Sequence, residues 1–117
     1  LLDRLGHELR VIDIPSHALH LTSIASAPSD NLILVPEGYI SLEAFGDLPN
    51  GCELLVMPEK EVYGCNTIGL ENNKVIIAAG YPVVKSKLEE RGFETITLDM
   101  SEIRAADGSL TCCSIFY

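Results

Sequence analysis

The chain has 117 residues, enough for one domain, and its 47% hydrophobic and 21% charged content excludes a disordered or low-complexity sequence. Its 17 acidic against 8 basic residues give a formal net charge of −9, which makes nucleic acid a poor partner and suits a cationic small molecule. No apolar run approaches the roughly 20 residues needed to cross a bilayer.

The elements follow in order. Residues 1–6 (LLDRLG) read as the last turn of a helix stopped by Gly6, with His7 as a capping residue behind it. A chain that begins inside a helix, without an initiator Met, looks cut from something longer. Residues 10–14 are β-branched and stop at Pro15, as a strand would. Residues 20–27 form a mixed strand-like run, and 32–35 (LILV) are wholly apolar, as in a strand covered on both faces. Residues 41–48 read as a helix capped by Ser41. Strands are predicted at 53–57, 66–70 and 75–78. A helix over 82–91 opens on Pro82 and puts Val84 and Leu88 on one stripe. Strands at 95–98 and 110–116 complete the chain.

This order is ββαβ twice, then one strand. The spacing agrees with a repeat: Thr22 to Thr67 and Thr67 to Cys112 are 45 positions each. A second echo matches Leu2–Gly6 to Leu88–Gly92, and Asp13 to Asp99, at an offset of 86. The expected units are 20–64 and 65–109, with a closing strand over 110–117. Equivalent ends of radially arranged units point toward a shared axis. His20 and Cys112 therefore converge in this scheme, and Cys65 takes the corresponding place in the middle unit.

The four cysteines have neither the density of a disulfide framework nor a C-x-x-C zinc spacing, so free thiols in a cytoplasmic protein are expected. A thiol attacks as thiolate, and an imidazole can serve as its proton partner. A cysteine in a strand is more commonly a small buried hydrophobe, and a histidine at a loop-to-strand junction is ordinarily a surface residue. His17 is also available but lies outside the repeat position. The Asp107-Gly108 turn favours Cys112, because it aims the next strand at whatever lies beyond. Asp107 is then either simple turn chemistry or part of the same site. In a strand, Cys113 alternates away from Cys112 and packs in the core.

Met100-Ser101-Glu102-Ile103, followed by Ala105-Ala106-Asp107-Gly108-Ser109-Leu110-Thr111-Cys112-Cys113-Ser114, resembles the dimethylarginine dimethylaminohydrolases of the amidinotransferase superfamily. Leu19-His20-Leu21-Thr22-Ser23 is similar to that family's histidine segment, and Gly80-Tyr81-Pro82 fits as well. The resemblance runs over essentially the whole chain and corresponds to the C-terminal portion of the catalytic domain. It implies an α/β fold, a partial five-bladed αβ-propeller (pentein) of about two and a half ββαβ units. It implies Cys112 as nucleophile and His20 as general acid and base. The backbone carbonyl of Ala106 would meet substrate, and Asp107 would lie against substrate or histidine. The substrate would be a methylated arginine, hydrolysed to citrulline and an amine with no cofactor and no metal. The family's guanidinium-binding carboxylates and clamping arginines come from earlier blades. The chain alone is therefore expected to be inactive, completed by missing N-terminal blades or another chain, and open strand edges favour association such as a homodimer. Alternatives are an arginine deiminase-like hydrolase, a non-catalytic propeller fragment serving binding or assembly, and a generic α/β domain with buried cysteines.

Overall fold

The computed structural model describes residues 3–7 and 9–115. Its strands form two consecutive three-stranded sheets of one plan. In the first, β1 (Ser26–Ser29) and β2 (Leu32–Pro36) make an antiparallel hairpin, and β3 (Glu53–Met57) joins β2 in parallel. In the second, β4 (Ile68–Leu70) and β5 (Lys74–Ala78) make the hairpin, and β6 (Glu94–Leu98) lies parallel to β5. A helical connection leads to each third strand: a 3-10 turn over Leu42–Phe45, then α2 (Pro82–Glu89). This mixed α/β arrangement has the ββαβ order implied by the repeat.

Equivalent strands begin 41 or 42 positions apart rather than 45. The difference is local. Thr22 sits inside a helical turn, α1 (Leu21–Ile24), that precedes β1, whereas Thr67 directly abuts β4.

The wholly apolar β2 is covered on both faces, as its sequence requires. Leu32 and Leu34 enter a cluster with Leu55, Met57, Val75, Ile77, Val84 and Leu88, while Val35 packs with Ile24, Ala25 and Ile40. The first cluster draws on both sheets, so the two units share one core. Helix α2 closes it with Val84 and Leu88, both fully buried. Pro82 occupies its first position. The buried Glu61 carboxylate accepts the backbone N–H of Val83 at 3.0 Å and of Val84 at 2.8 Å. The helix ends in a Schellman turn: Gly92 has φ +84°, and Phe93 N–H returns to Leu88 O at 3.2 Å.

The sheets meet closely at Gly69 in β4. A Cβ there would lie 2.1 Å from the carbonyl oxygen of Pro28 in β1. At the rim, Arg91 Nε donates to Glu53 Oε2 at 2.9 Å, tying the second unit to the first.

Several local expectations are corrected. Residues 10–14 form no strand; Ile12 and Ile14 instead pack on the cluster around Val35, so their side chains find an apolar surface without a ladder. Residues 41–48 make only the short 3-10 turn, stopped by Gly46 at φ +59°, and Ser41 supplies no side-chain cap. The closing strand is absent among the described residues: Thr111–Cys113 is a 3-10 turn, and Phe116 and Tyr117 lie outside the description. Residues 1 and 2 of the expected N-terminal helix turn also lie outside it, with Asp3–Leu5 a 3-10 turn and Gly6 at φ +73°. Cys65 does not begin a strand; it ends the irregular 3-10 run Glu59–Cys65, fully buried. Among the described residues no helix is long and apolar enough to cross a membrane.

Candidate active site

The segment before Cys112 is built by a short helix missing from the sequence expectations, α3 (Ser101–Ala105). Asp99 Oδ1 accepts the Ser101 N–H at 3.0 Å, and this bond holds the exposed Asp99 carboxyl below the ordinary aspartate value. The helix ends in a second Schellman turn. Asp107 takes the left-handed position at φ +59° and donates its N–H to Arg104 O at 3.0 Å. Gly108 N–H returns to Ile103 O at 2.8 Å. Aspartate tolerates this conformation better than most residues. The Asp107-Gly108 pair thus does make a turn, and it leads into a 3-10 turn. Ala106 and Asp107 are both exposed there.

Ser109 and Leu110 are buried and anchor this stretch, Leu110 against Ile68, Ala78 and Met100. Cys112 and Cys113 then emerge to solvent as free thiols. The 3-10 turn thereby overturns the core position expected for Cys113: without strand alternation, both side chains leave the surface. Ser109 Oγ lies 3.2 Å from Cys112 Sγ. That hydroxyl, helped by the Ser109 and Cys112 backbone amides, holds the Cys112 thiol below the usual cysteine value against slight desolvation. Cys65 is the opposite case. Burial, with the charge of Glu61 adding to it, pushes its thiol up to about 12.

His20 is exposed and immediately precedes α1. Its segment and that of Cys112 meet at one residue. The Asn66 side chain, 1% exposed, donates through Nδ2 to Thr22 O and to Thr111 Oγ1, the latter at 2.8 Å. Its Oδ1 accepts the Thr111 N–H at 3.2 Å. The structure therefore ties the chain two positions after His20 to the residue just before Cys112. No hydrogen bond joins the His20 and Cys112 side chains among the described residues.

Beside this junction lies a cleft of about 450 Å³, with His17, Tyr39, Tyr63, Arg104, Asp107 and Ser109 in its wall. His17 packs edge-on against Tyr39, ring centroids 5.2 Å apart. Arg104 stacks 5.2 Å over Tyr63 and donates to Tyr81 Oη at 2.8 Å, while Tyr63 Oη donates to Gly108 O at 2.9 Å. Burial, ahead of nearby charges, raises both phenols. Of the expected site residues, Asp107 lines this cleft; His20, Ala106 and Cys112 do not.

No family model matches the chain. Known proteins do. A dimethylarginine dimethylaminohydrolase from Pseudomonas aeruginosa is 36% identical over 98 residues, covering 83% of this chain and 36% of that protein. A crystal structure of a dimethylarginine dimethylaminohydrolase variant, as an adduct with S-methyl-L-thiocitrulline, superposes with a TM-score of 0.71 at 31% identity, over 84% of this chain and 37% of that one. A cysteine-to-serine mutant of the Pseudomonas aeruginosa enzyme, complexed with citrulline, gives a TM-score of 0.67 at 29% identity, over 84% and 36%. Over the part that aligns, this is a dimethylarginine dimethylaminohydrolase-like protein of the amidinotransferase superfamily. The chain spans well under half the length of each of these relatives.

Asn66, Ser109 and Arg104 escaped the sequence reading. A signal for Asn66 existed in the repeat, since it lies 45 positions before its partner Thr111. Ser109 carried none, because its contact with Cys112 arises from a 3-10 turn where a strand was expected.

Proposed function

We propose that this chain is the His/Cys portion of a hydrolase of Nω-methylated arginine, either asymmetric dimethylarginine or monomethylarginine. The Cys112 thiolate attacks the guanidinium carbon. A C–S bond forms, and the C–N bond to dimethylamine or methylamine breaks as His20 supplies the proton. The resulting thiouronium is hydrolysed by a water that His20 deprotonates, releasing citrulline and the thiolate. The Ala106 carbonyl and the Asp107 carboxylate would contact the substrate. The fold would be a sector of a five-bladed αβ-propeller, with units 20–64 and 65–109 and a closing segment 110–117. Further blades, from the same chain or another, would supply the carboxylates and arginines that hold the substrate. Ile96 and Leu98 of β6 are exposed, which suits burial by such a neighbour. Free thiols suit a reducing, cytoplasmic setting.

The observation that carries the reading is the meeting of two segments at Asn66: one presents an exposed, acidified thiol, the other a histidine. The relatives' bound S-methyl-L-thiocitrulline and citrulline agree with a guanidine-derived substrate.

The test is citrulline release by the full-length protein from asymmetric dimethylarginine, monomethylarginine and arginine, with Cys112→Ser and His20→Ala as controls. Turnover of a methylated substrate that vanishes in Cys112→Ser supports the proposal. Turnover of arginine alone favours the deiminase-like alternative. A folded protein inert to all three contradicts the proposal and favours the binding or assembly alternative.

A further inference from the structure

Asn66 does more than join two segments; it opens a chain of hydroxyl contacts that ends at Cys112. Its amide orientation is determined twice. Oδ1 faces the Thr111 N–H, which can only donate, and Nδ2 faces the Thr22 carbonyl, which can only accept. The same Nδ2 therefore donates to Thr111 Oγ1. That oxygen, already accepting, has its own proton free for Ser109 Oγ, 3.3 Å away. Toward a thiolate, which has no proton, Ser109 Oγ at 3.2 Å can only donate, and it is then free to accept from Thr111. Ser109 is 4% exposed, so water competes little for its hydroxyl.

We propose that Asn66, Thr111 and Ser109 form a directed hydrogen-bond relay whose last member, the Ser109 hydroxyl, donates to the Cys112 thiolate. Ser109 is then a catalytic residue that touches the reacting sulfur, and Asn66 and Thr111 are positioning residues acting through it. The inference rests on the hydrolase reading for its use, but its geometry stands without substrate. The lowered Cys112 thiol agrees with it. Among the described residues, the other titratable groups around the sulfur are the adjacent Cys113 and Tyr63, whose hydroxyl is already committed to Gly108 O and whose ring Arg104 covers. His20 lies at the start of the segment beyond Asn66. None of these replaces the Ser109 donor, because none is hydrogen-bonded to Sγ among the described residues.

The experiment is the pH dependence of iodoacetamide alkylation at Cys112 in the full-length protein without substrate, followed by peptide mass spectrometry. Wild-type protein should alkylate with a midpoint below the ordinary thiol value of about 8.5. Ser109→Ala should move the midpoint up by about half a unit to one unit, with roughly threefold to tenfold slower labelling at neutral pH and no loss of the high-pH plateau rate. Thr111→Val should move it the same way, and Thr111→Ser should restore it. A purely structural role would alter stability without this pattern. Buried Cys65 reports folding, since it stays unlabelled in a native chain. A wild-type midpoint at or above the ordinary value overturns the relay, whether or not the variants fold. So does a folded Ser109→Ala protein with an unmoved midpoint. Both readouts are independent of citrulline release, so the relay and the hydrolase reading fail separately.

Discussion

Asn66 and Thr111 hold each other by two hydrogen bonds, Nδ2 to Oγ1 at 2.8 Å and backbone N–H to Oδ1 at 3.2 Å, across 45 positions of sequence. A third bond, to Thr22 O, extends the same amide to the segment behind His20. The side chain is fully satisfied and buried, so its loss strands donors and acceptors that water reaches poorly. Asn66→Leu should cost about 1–3 kcal/mol of unfolding free energy, read by denaturant titration. In the full-length protein it should lower kcat for the proposed methylarginine hydrolysis more than it raises KM. An unchanged stability would contradict the satisfied geometry.

Glu61 tests how α2 is held. Its two carboxylate oxygens take two helix N–H groups, and α2 carries Val84 and Leu88 into the shared core. Glu61→Ala should destabilise the fold by about 1–3 kcal/mol. Glu61→Gln keeps the shape but removes the charge that adds to burial in raising the Cys65 thiol. Cys65 should then titrate lower, though still above an ordinary cysteine, because burial is the larger cause. A pH titration of the Cys65 Cβ carbon shift by NMR in the two proteins reads this without needing reagent access to the buried thiol.

Gly69 marks a close approach of the two sheets. Its missing Cβ is what lets β4 lie over Pro28, whose carbonyl is backbone and cannot rotate away. Gly69→Ala should destabilise by about 1–3 kcal/mol through forced separation of β1 and β4. Gly69→Val should do more, and thermal unfolding of the three proteins gives the order.

Asp99 supplies a pH dependence with a definite sign. Its folded value lies below the ordinary 3.8, through its bonds to Ser101. Its contribution is therefore complete above that ordinary value. It is lost as pH falls through 3.8 and then through the lower folded value. Asp99→Asn should reduce stability at neutral pH and converge with the parent protein at strongly acid pH. Denaturant midpoints across that range test it; a constant difference would contradict the assignment.

Much of the fold was legible because it lies in local patterns. The apolar run at β2, the Pro82 start with its Val84/Leu88 stripe, and the Gly92 stop each carry their own physical reason. The ββαβ order followed from their sequence. What failed was segments whose environment is set by distant residues. Residues 10–14 look like a strand, but Ile12 and Ile14 bury themselves without one. Residues 110–116 look like a strand, but burial of Ser109 and Leu110 anchors a 3-10 turn instead. That turn exposes Cys113 and puts Ser109 beside Cys112, neither of which strand alternation allows. The repeat phase sets the Cys112 and His20 segments at equivalent positions, and in the structure Asn66 bonds to both segments. The residue that joins them, Asn66, is an ordinary polar residue whose role appears only when the two units are packed together.

The proposed role of Cys112 is that of the nucleophile. It is tested most directly by acid-quenching the full-length protein during turnover of asymmetric dimethylarginine and mapping modified peptides by mass spectrometry. The expected result is an adduct with the mass of the thiouronium on the Cys112 peptide, absent from Cys112→Ser. An adduct on Cys113 instead, or continued citrulline formation by Cys112→Ser, would contradict it.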